Sequence, residues 1–377
     1  MIGRHTAIVL AGMFVLAASA VAQSEDPSTG RNAWEACFNR PADWYGSAEA
    51  IRIADNVLLL QRNNGGWPKN IEIVAPFSDA ERDSLREVKD RPGSTIDNGA
   101  THSELQFLRR VWAQTGLPRF KDGLTRGLEY LLAAQYPNGG WPQFFPVRAD
   151  YSSHITFNDD AMTGVLDLFL DLVRLPEDSS GIDAAMRARL QRAIDRGVDC
   201  VLRCQIRVDG ERTVWCAQHD EHTLAPAAAR TYELPSFSGK ESVEIVRFLM
   251  RFEHPQPETI AAIQGAIRWF DGSRIRGIRV VEVPDPTSPS GMNKVIVTDS
   301  TAPPLWGRFY DLETQRVFYC SRDGIKRFAL SEISTERRNH YGWLGDWPAA
   351  LLSKEYPRWQ RRWVPSQNLL GGGGRSR

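Results

Sequence analysis

Two short polar segments place acidic and amide side chains directly before predicted helices. Asp97 and Asn98 belong to the first segment, and Asp159 and Asp160 belong to the second. Aspartate and asparagine are common helix N-caps, which would account for any one of these four residues. Two adjacent acids exceed what a single cap requires, and their hard oxygens could bind calcium. A carboxylate pair for glycoside hydrolysis is the competing chemical interpretation.

Arginines occur in three further segments at predicted element boundaries. Arg230 lies in Ala229–Ser236, Arg308 follows Trp306-Gly307, and Arg322 lies in Cys320–Gly324. A guanidinium group offers forked donors that can bind a carboxylate through two parallel hydrogen bonds. For Arg322, a surface salt bridge to a nearby aspartate, either Asp323 or Asp311, is the alternative that involves no function.

A repeated turn is the clearest architectural signal. The sequence Asn-Gly-Gly-Trp-Pro occurs at Asn64–Pro68 and at Asn138–Pro142, and each copy follows a glutamine, Gln61 or Gln135. The spacing leaves room for two long helices and their connections, which favours a repeat of helical hairpins. Glycine pairs permit unusual backbone angles, and proline prevents the helix from resuming. The two tryptophans could either cap the core or line a cleft.

Helical periodicity dominates between these motifs, and Thr101–Glu104 has the sequence of a capping box. Helices are predicted over residues 100–115, 120–135, 157–174, 183–206, 238–251 and 258–270. Because no alternation of strands and helices accompanies them, the fold class is predicted to be all-α. Short strands at residues 278–283, 294–298 and 317–320 predict a small β insertion on the cleft side, and residues 343–355 return to helical spacing.

The composition and the N-terminal residues limit which partners and which cellular compartment are expected. The 46 basic and 46 acidic residues balance, and without a basic tract the chain is predicted to bind no nucleic acid. Residues 1–22 have the features of a cleaved secretory signal, ending at Ala20-Val21-Ala22. We therefore predict a secreted or periplasmic protein with no membrane span. An N-terminal extension (23–32), a catalytic domain (33–363) and a flexible tail (364–377) complete the predicted organisation.

The five cysteines give no standard metal-binding pattern. Cys204, Cys216 and His219 could be arranged as zinc ligands, but their spacing matches no known finger and a fourth ligand is not evident. Buried free cysteines or one disulfide are the favoured interpretations.

Seven motifs in register resemble those of the family 10 polysaccharide lyases, which are pectate lyases. The resemblance covers roughly residues 33–363. The matching motifs are Asn64–Lys69, Thr95–Thr101, Asn138–Gln143, Ile155–Asp160, Trp215–Asp220, Arg230–Ser236, and Trp306–Leu312 with Ser321–Gly324.

The resemblance implies an α/α toroid whose cleft binds polygalacturonate and cleaves it by calcium-assisted β-elimination. It implies that calcium is held by Asp159, Asp97 and Asn98. Substrate would be bound by Asn98 and by three further residues, Arg230, Tyr232 and Arg308. Arg322 is the implied base, and the protein is expected to act as a monomer.

An arginine base has consequences for the pH dependence of the reaction. The reference pKa of arginine, about 12.5 or more, leaves almost none of it neutral at pH 7. Arg308 and calcium near Arg322 would lower the pKa of Arg322 by like-charge repulsion, which predicts an alkaline optimum. A histidine base, drawn from His102, His154 or His219, is the competing hypothesis.

Two other classes of protein remain as alternatives at this stage. The turns that contain glutamine, glycine and tryptophan also resemble those of α/α-barrel terpene cyclases. A non-catalytic sugar-binding protein that uses the 12 tryptophans for recognition is the other possibility.

Overall fold

A computed structural model describes residues 27–370, and the predicted signal therefore lies outside the described residues. The α-helices are α1 Pro27–Cys37, α2 Ala48–Leu60, α3 Asp79–Glu87, α4 His102–Thr115, α5 Pro118–Ala134, α6 Ala161–Arg174, α7 Glu177–Ser180, α8 Ala184–Cys204, α9 Glu241–Met250, α10 Pro257–Gly272, α11 Thr335–Asn339 and α12 Tyr356–Trp363. The strands are β1 Ile155–Thr156, β2 Arg207–Val208, β3 Glu211–Arg212, β4 Gln218–His219, β5 Phe237–Ser238, β6 Ile278–Pro284, β7 Met292–Thr298, β8 Trp306–Gly307, β9 Phe309–Tyr310, β10 Tyr319–Cys320, β11 Lys326–Arg327 and β12 Leu344–Gly345.

Four helices, α2, α5, α8 and α10, follow one another in an outer row that is joined by glutamine side chains. Gln61, which ends α2, donates from Nε2 to the Gly123 carbonyl oxygen of α5 at 2.9 Å. Gln135 reaches Ala193 of α8 in the same way, and Gln205 reaches Ala262 of α10. Helices α4, α6 and α9 pack in order as an inner row. The predicted all-α fold with short β segments is confirmed: the chain is a mostly helical toroid.

The tryptophan that follows each outer helix caps the core. Trp67, Trp141 and Trp215 are fully buried. Each indole Nε1 donates to a carbonyl oxygen of the outer helix that precedes it, at 2.7 to 2.8 Å. Trp306 makes the equivalent bond to Phe270 of α10. The prediction that these tryptophans cap the core is therefore confirmed. The structure also shows two further copies of this arrangement, at Trp215 and Trp306, whose turns lack the glycine pair.

The glycine in each repeated turn allows a backbone carbonyl to approach closely. Gly139 has a φ of +95°, and a Cβ built there would overlap the carbonyl oxygen of Arg196 on α8. Gly116, at the end of α4, also has a positive φ of +65°, but open space surrounds it. A side chain at Gly116 would therefore introduce backbone strain alone, whereas one at Gly139 would introduce both strain and a steric clash.

We expect Gly139→Ala to destabilise the protein by at least about 3 kcal/mol, because it adds a backbone clash to the strain of a positive φ. The matched substitution Gly116→Ala introduces only the strain and is expected to cost about 1 kcal/mol. Urea denaturation of both variants measures the difference. Equal losses of stability would show that the close approach to Arg196 is unimportant.

The start of α4 differs from the prediction. Thr101 has a φ of +68° and forms no side-chain cap, so the predicted capping box is wrong. Instead, the Thr101 hydroxyl accepts from the Trp67 backbone N–H at 3.0 Å and donates to the Thr95 carbonyl at 2.8 Å. The hydroxyl therefore links the repeated turn to the polar segment that contains Asp97.

Two of the three strands of the predicted β insertion form a hairpin of β6 and β7, paired from Ile278–Thr298 to Pro284–Met292. The third, at residues 317–320, is instead part of a separate sheet, in which β10 pairs with β11. The hairpin packs against α11, and the Asn339 side chain of that helix accepts from the Lys294 backbone N–H at 2.9 Å. Residues 343–355 depart from the predicted helical spacing: they begin with β12, and a π-helix over Leu351–Glu355 then leads into α12.

The cysteines carry no disulfide and no zinc site. All five are buried and free, and the Cys200 and Cys204 sulfurs are 4.0 Å apart. His219 is already engaged at both ring nitrogens, with the Cys216 N–H at 3.0 Å and the Leu224 carbonyl at 2.8 Å. Within residues 27–370, no helix is long and apolar enough to cross a membrane.

Candidate active site

Two short 3₁₀ turns, Asp97–Gly99 and Asn158–Asp160, pack against each other at the start of the inner helices. Their central residues, Asn98 and Asp159, adopt the left-handed region with φ values of 55° and 47°. Non-glycine residues adopt this conformation at a cost, and such strain concentrates at functional sites. The structure therefore brings together the acidic and amide residues that the sequence singled out.

Equivalent backbone hydrogen bonds place three polar segments at one end of the toroid. The N–H groups of Thr95, Thr156 and Ser238 donate to the carbonyl oxygens of Trp67, Trp141 and Trp215, respectively. The third segment continues into Lys240 and Glu241 at the start of α9. The core-capping turns thus determine where the charged side chains lie.

Asp97 is buried and held by two donors. Its Oδ2 accepts from Gln143 Nε2 at 2.6 Å and from the Lys69 ammonium group. Its Oδ1 is buried with no hydrogen-bond partner among the described residues. A buried carboxylate oxygen without a partner is costly, so this atom is suited to bind a cation or a donor from substrate.

Asp159 faces a buried network of charges. Its Oδ1 lies 2.7 Å from Lys240 Nζ and 3.6 Å from an Arg308 guanidinium nitrogen. Burial raises the pKa of Asp159, but Lys240 and Arg308 outweigh this effect and lower the pKa overall. Asp159 is therefore an anion at neutral pH and is available as a hard oxygen ligand.

Arg308 links this acidic centre to the rest of the cleft. Its guanidinium donates to Glu241 Oε1 at 2.5 Å and to Asn158 Oδ1 at 3.0 Å. It also lies over the Tyr341 ring, 4.7 Å from the centroid. Burial lowers the pKa of Arg308, but the Glu241 carboxylate more than offsets this and raises it overall. Arg308 is thus a fixed cation.

Arg230 also lies over the Tyr341 ring, with its guanidinium carbon 6.0 Å from the centroid, as does the buried Arg337 at 5.9 Å. Its Nε donates to Glu233 Oε2 at 2.7 Å, and the Tyr341 hydroxyl donates to Glu233 Oε1 at 2.7 Å. The Arg230 guanidinium also lies 5.1 Å from the centre of the Tyr232 ring. Burial lowers the pKa of Arg230, whereas Glu233 raises it by more.

Arg322 lies over Tyr232, whereas Arg230 lies over both Tyr232 and the Tyr341 ring that Arg308 contacts. The Arg322 guanidinium contacts the Tyr232 ring at 5.6 Å, and its NH2 group lies 3.0 Å from Glu336 Oε1. The predicted salt bridges to Asp323 and Asp311 do not form, because Asp323 pairs with Arg327 and Asp311 pairs with Lys326. Arg308 donates to Glu241 and Asn158, and like-charge repulsion between Arg308 and Arg322 stays a prediction.

The residues that sequence reasoning missed share one property: each supports a predicted residue through a hydrogen bond or an ion pair. Two of them, Lys69 and Gln143, stand directly after the Trp-Pro pairs of the repeated turns, and this position could have identified them. The full set is Lys69, Gln143, Glu233, Lys240, Glu241 and Tyr341.

The calcium ligands predicted from sequence fit a cation in type but do not form a closed cage. Asp97, Asn98 and Asp159 offer oxygens on two packed turns, and one oxygen of Asp97 lacks a partner. Among the described residues, the acids of these turns do not form a group of three donors within 4.8 Å. Because calcium takes six to eight oxygens, substrate and water would supply the remainder.

Of the three histidines proposed as competing bases, His154 and His219 have partners elsewhere, and His102 has a buried Nε2 with no partner among the described residues. Burial lowers the pKa values of His102 and His219 to about 4. His154 lies 2.8 Å from Glu221. None of these contacts places a histidine on the arginine and tyrosine cluster formed by Arg230, Tyr232, Arg308, Arg322 and Tyr341.

Comparison with known proteins agrees with the fold. A sequence model described as pectic acid lyase matches residues 61–352. Two solved structures of the family 10 polysaccharide lyase from Cellvibrio cellulosa are each 31% identical to this chain with a TM-score of 0.71. The first, a mutant in complex with trigalacturonic acid, is aligned over 87% of this chain and 98% of that chain, and the second over 88% and 94%. No curated protein matches the chain.

Fold, site and comparisons together define a polysaccharide lyase built on a helical toroid. The chain belongs to the pectic acid lyase family. This assignment removes the terpene-cyclase alternative, which the turn motifs alone had left open.

Proposed function

We propose that the protein is a pectate lyase that cleaves de-esterified polygalacturonate by calcium-assisted β-elimination and releases 4,5-unsaturated oligogalacturonides. The juxtaposition of Asp159 and Arg308, 3.6 Å apart, carries this proposal. It places a hard anionic ligand beside a fixed guanidinium, so that one uronate carboxylate could contact a cation and an arginine together. The relative in complex with trigalacturonic acid supports the same class of substrate.

The reaction requires the proton at C5 of galacturonate to become acidic. Calcium bound by Asp159, Asp97 and Asn98 would increase the acidity of this proton by neutralising the adjacent substrate carboxylate. Arg308 binds the same carboxylate through its guanidinium donors and stabilises the negative charge that develops. A base then takes the C5 proton, and the electrons of the C5–H bond form the C4=C5 double bond. The C4–O4 bond breaks, and O4 leaves with that bond's electrons and takes a proton from water.

The base is an arginine next to Tyr232, and Arg230 and Arg322 are the two candidates, because the third arginine on that ring, Arg337, is buried and paired with Glu336. Sequence resemblance implies Arg322, which shares Glu336 with Arg337 and is 64% exposed. Position favours Arg230, because it lies on the same Tyr341 ring as Arg308. A base must approach within hydrogen-bond distance of the proton it removes, so the arginine closer to the carboxylate site is preferred. Arg322 would then bind a neighbouring uronate.

We expect the logarithm of the elimination rate to rise steadily from pH 8 to pH 10 at saturating calcium. The reason is that Glu233 raises the pKa of Arg230, so its neutral fraction keeps increasing with pH across this range. A histidine base would instead give a plateau above about pH 7, because its reference pKa is roughly 6.5. Initial rates on polygalacturonate between pH 6 and 10 distinguish the two, and a plateau by pH 7.5 would exclude an arginine base.

An ultraviolet assay tests the proposed activity. Incubation with polygalacturonate should release unsaturated uronides that absorb in the near-ultraviolet, and a calcium chelator should abolish the signal. A non-catalytic sugar-binding protein would bind the polymer without any change in absorbance. Activity that persists in chelator would retain the lyase assignment but contradict the calcium mechanism.

We further propose that the protein works outside the cytoplasm, either secreted or periplasmic, and as a monomer. The signal-like residues 1–22 support export, and a polymeric substrate that cannot cross a membrane is consistent with it. The proposed substrate and calcium contacts all come from one chain, which supports the monomer.

A further inference from the structure

A second group of possible metal ligands lies outside the acidic turns. In the pairing of strands β1 and β4, Ile155 lies opposite His219. His154 and Asp220, the residues next to this pair, therefore lie opposite each other as well. Glu221 follows Asp220 directly. One donor atom from each of His154, Asp220 and Glu221 lies within 4.8 Å of the others, and no other such group occurs among the described residues.

The existing contacts leave ligand positions open. His154 Nδ1 is 2.8 Å from Glu221 Oε2, and the side chains are 22% and 16% exposed. Asp220 Oδ1 accepts from the His222 and Thr223 N–H groups, so Oδ2 is the oxygen that could bind a metal. His222 is exposed, and its Nε2 lies 4.0 Å from Glu221 Oε1. A rotation of His222 would therefore supply a second imidazole.

We propose that His154, Asp220, Glu221 and His222 form a zinc site. Two imidazoles and two carboxylates suit a borderline-soft ion in tetrahedral geometry, whereas calcium prefers ligands that are all oxygen. With metal–ligand distances of about 2.0 Å, tetrahedral ligands are roughly 3.3 Å apart. The 2.8 Å contact between His154 and Glu221 thus needs to open by only about half an ångström.

The zinc ion would join two segments, one that carries His154 and one that carries Asp220, Glu221 and His222. Asn138 of the second repeated turn donates to the Glu221 carbonyl at 2.7 Å. The Ala227 N–H donates to Gln218, just before the ligand-bearing loop, and the chain then continues to Arg230. The metal would therefore stabilise the loop that precedes Arg230 in the chain, without contacting substrate.

Isothermal titration of the metal-free, untagged protein with zinc chloride, in excess calcium, tests this site. We expect one zinc per chain for the wild type, at least about 100-fold weaker binding for His154→Gln, and an increased melting temperature with zinc in the wild type alone. His340→Gln is the matched control, because that surface histidine contacts only the Glu336 carbonyl. It should bind zinc like the wild type.

Two outcomes would overturn the site. The first is a wild type that binds no zinc below about 100 µM, and the second is a His154→Gln variant that binds zinc as tightly as the wild type. If His154→Gln does not fold without metal, Glu221→Gln takes its place in the same titration. Zinc binding is measured without substrate, so this result is independent of the proposed lyase activity.

Discussion

Replacing Arg230 with lysine is expected to lower the turnover of polygalacturonate by about 100- to 10,000-fold while KM changes little. This range is the usual contribution of a positioned general base. Lysine retains the positive charge but loses the planar fork that pairs with Glu233 and lies over Tyr341. Steady-state kinetics at saturating calcium and pH 9 measure both parameters.

The same substitution at Arg322 separates the two candidate bases. If Arg230 is the base, Arg322→Lys should mainly raise KM, because Arg322 would only bind a neighbouring uronate. The reverse pattern, with turnover lost in Arg322→Lys and retained in Arg230→Lys, would establish the assignment implied by sequence resemblance. Arg327→Lys is the matched control: Arg327 lies near Arg322 but pairs with Asp323, outside the cluster, and should behave like the wild type.

Replacing Asp159 with alanine is expected to raise the calcium concentration needed for half-maximal activity by at least about 100-fold. Loss of a residue that only orients a metal ligand costs up to about 100-fold in metal affinity. Loss of the ligand itself is expected to cost at least as much. Asp159→Asn keeps the shape of the side chain and removes its charge, so it should show a smaller shift in the same direction. Initial rates across a calcium titration provide the measurement.

The exposed Asp178 on α7 is a suitable control for this experiment, since it lies outside the site. Asp178→Asn should leave the calcium requirement unchanged. If Asp159→Ala has the same calcium requirement as the wild type, Asp159 is not a ligand. If instead the wild type needs no added calcium even after chelation, the metal mechanism itself fails.

The amino-acid sequence alone determined the helical architecture and most of the residues at the site. Apolar spacing predicted α4, α5, α6, α8, α9 and α10 to within a few residues, because each helix buries one continuous stripe. The repeated turns predicted the hairpin repeat, since glycine and proline act locally on the backbone. The acidic and arginine segments were recognisable because they lie at the ends of these elements.

Only the tertiary structure decided how these residues are paired. Whether Trp67 and Trp141 cap the core or line the cleft depends on bonds to the preceding helix, which periodicity does not reveal. Arg322 pairs with Glu336, 14 residues away, instead of the adjacent Asp323. Thr101 bonds to another turn instead of capping its own helix. Local sequence predicts elements because backbone preferences are local, whereas partners of charged and polar side chains are selected by packing between distant segments.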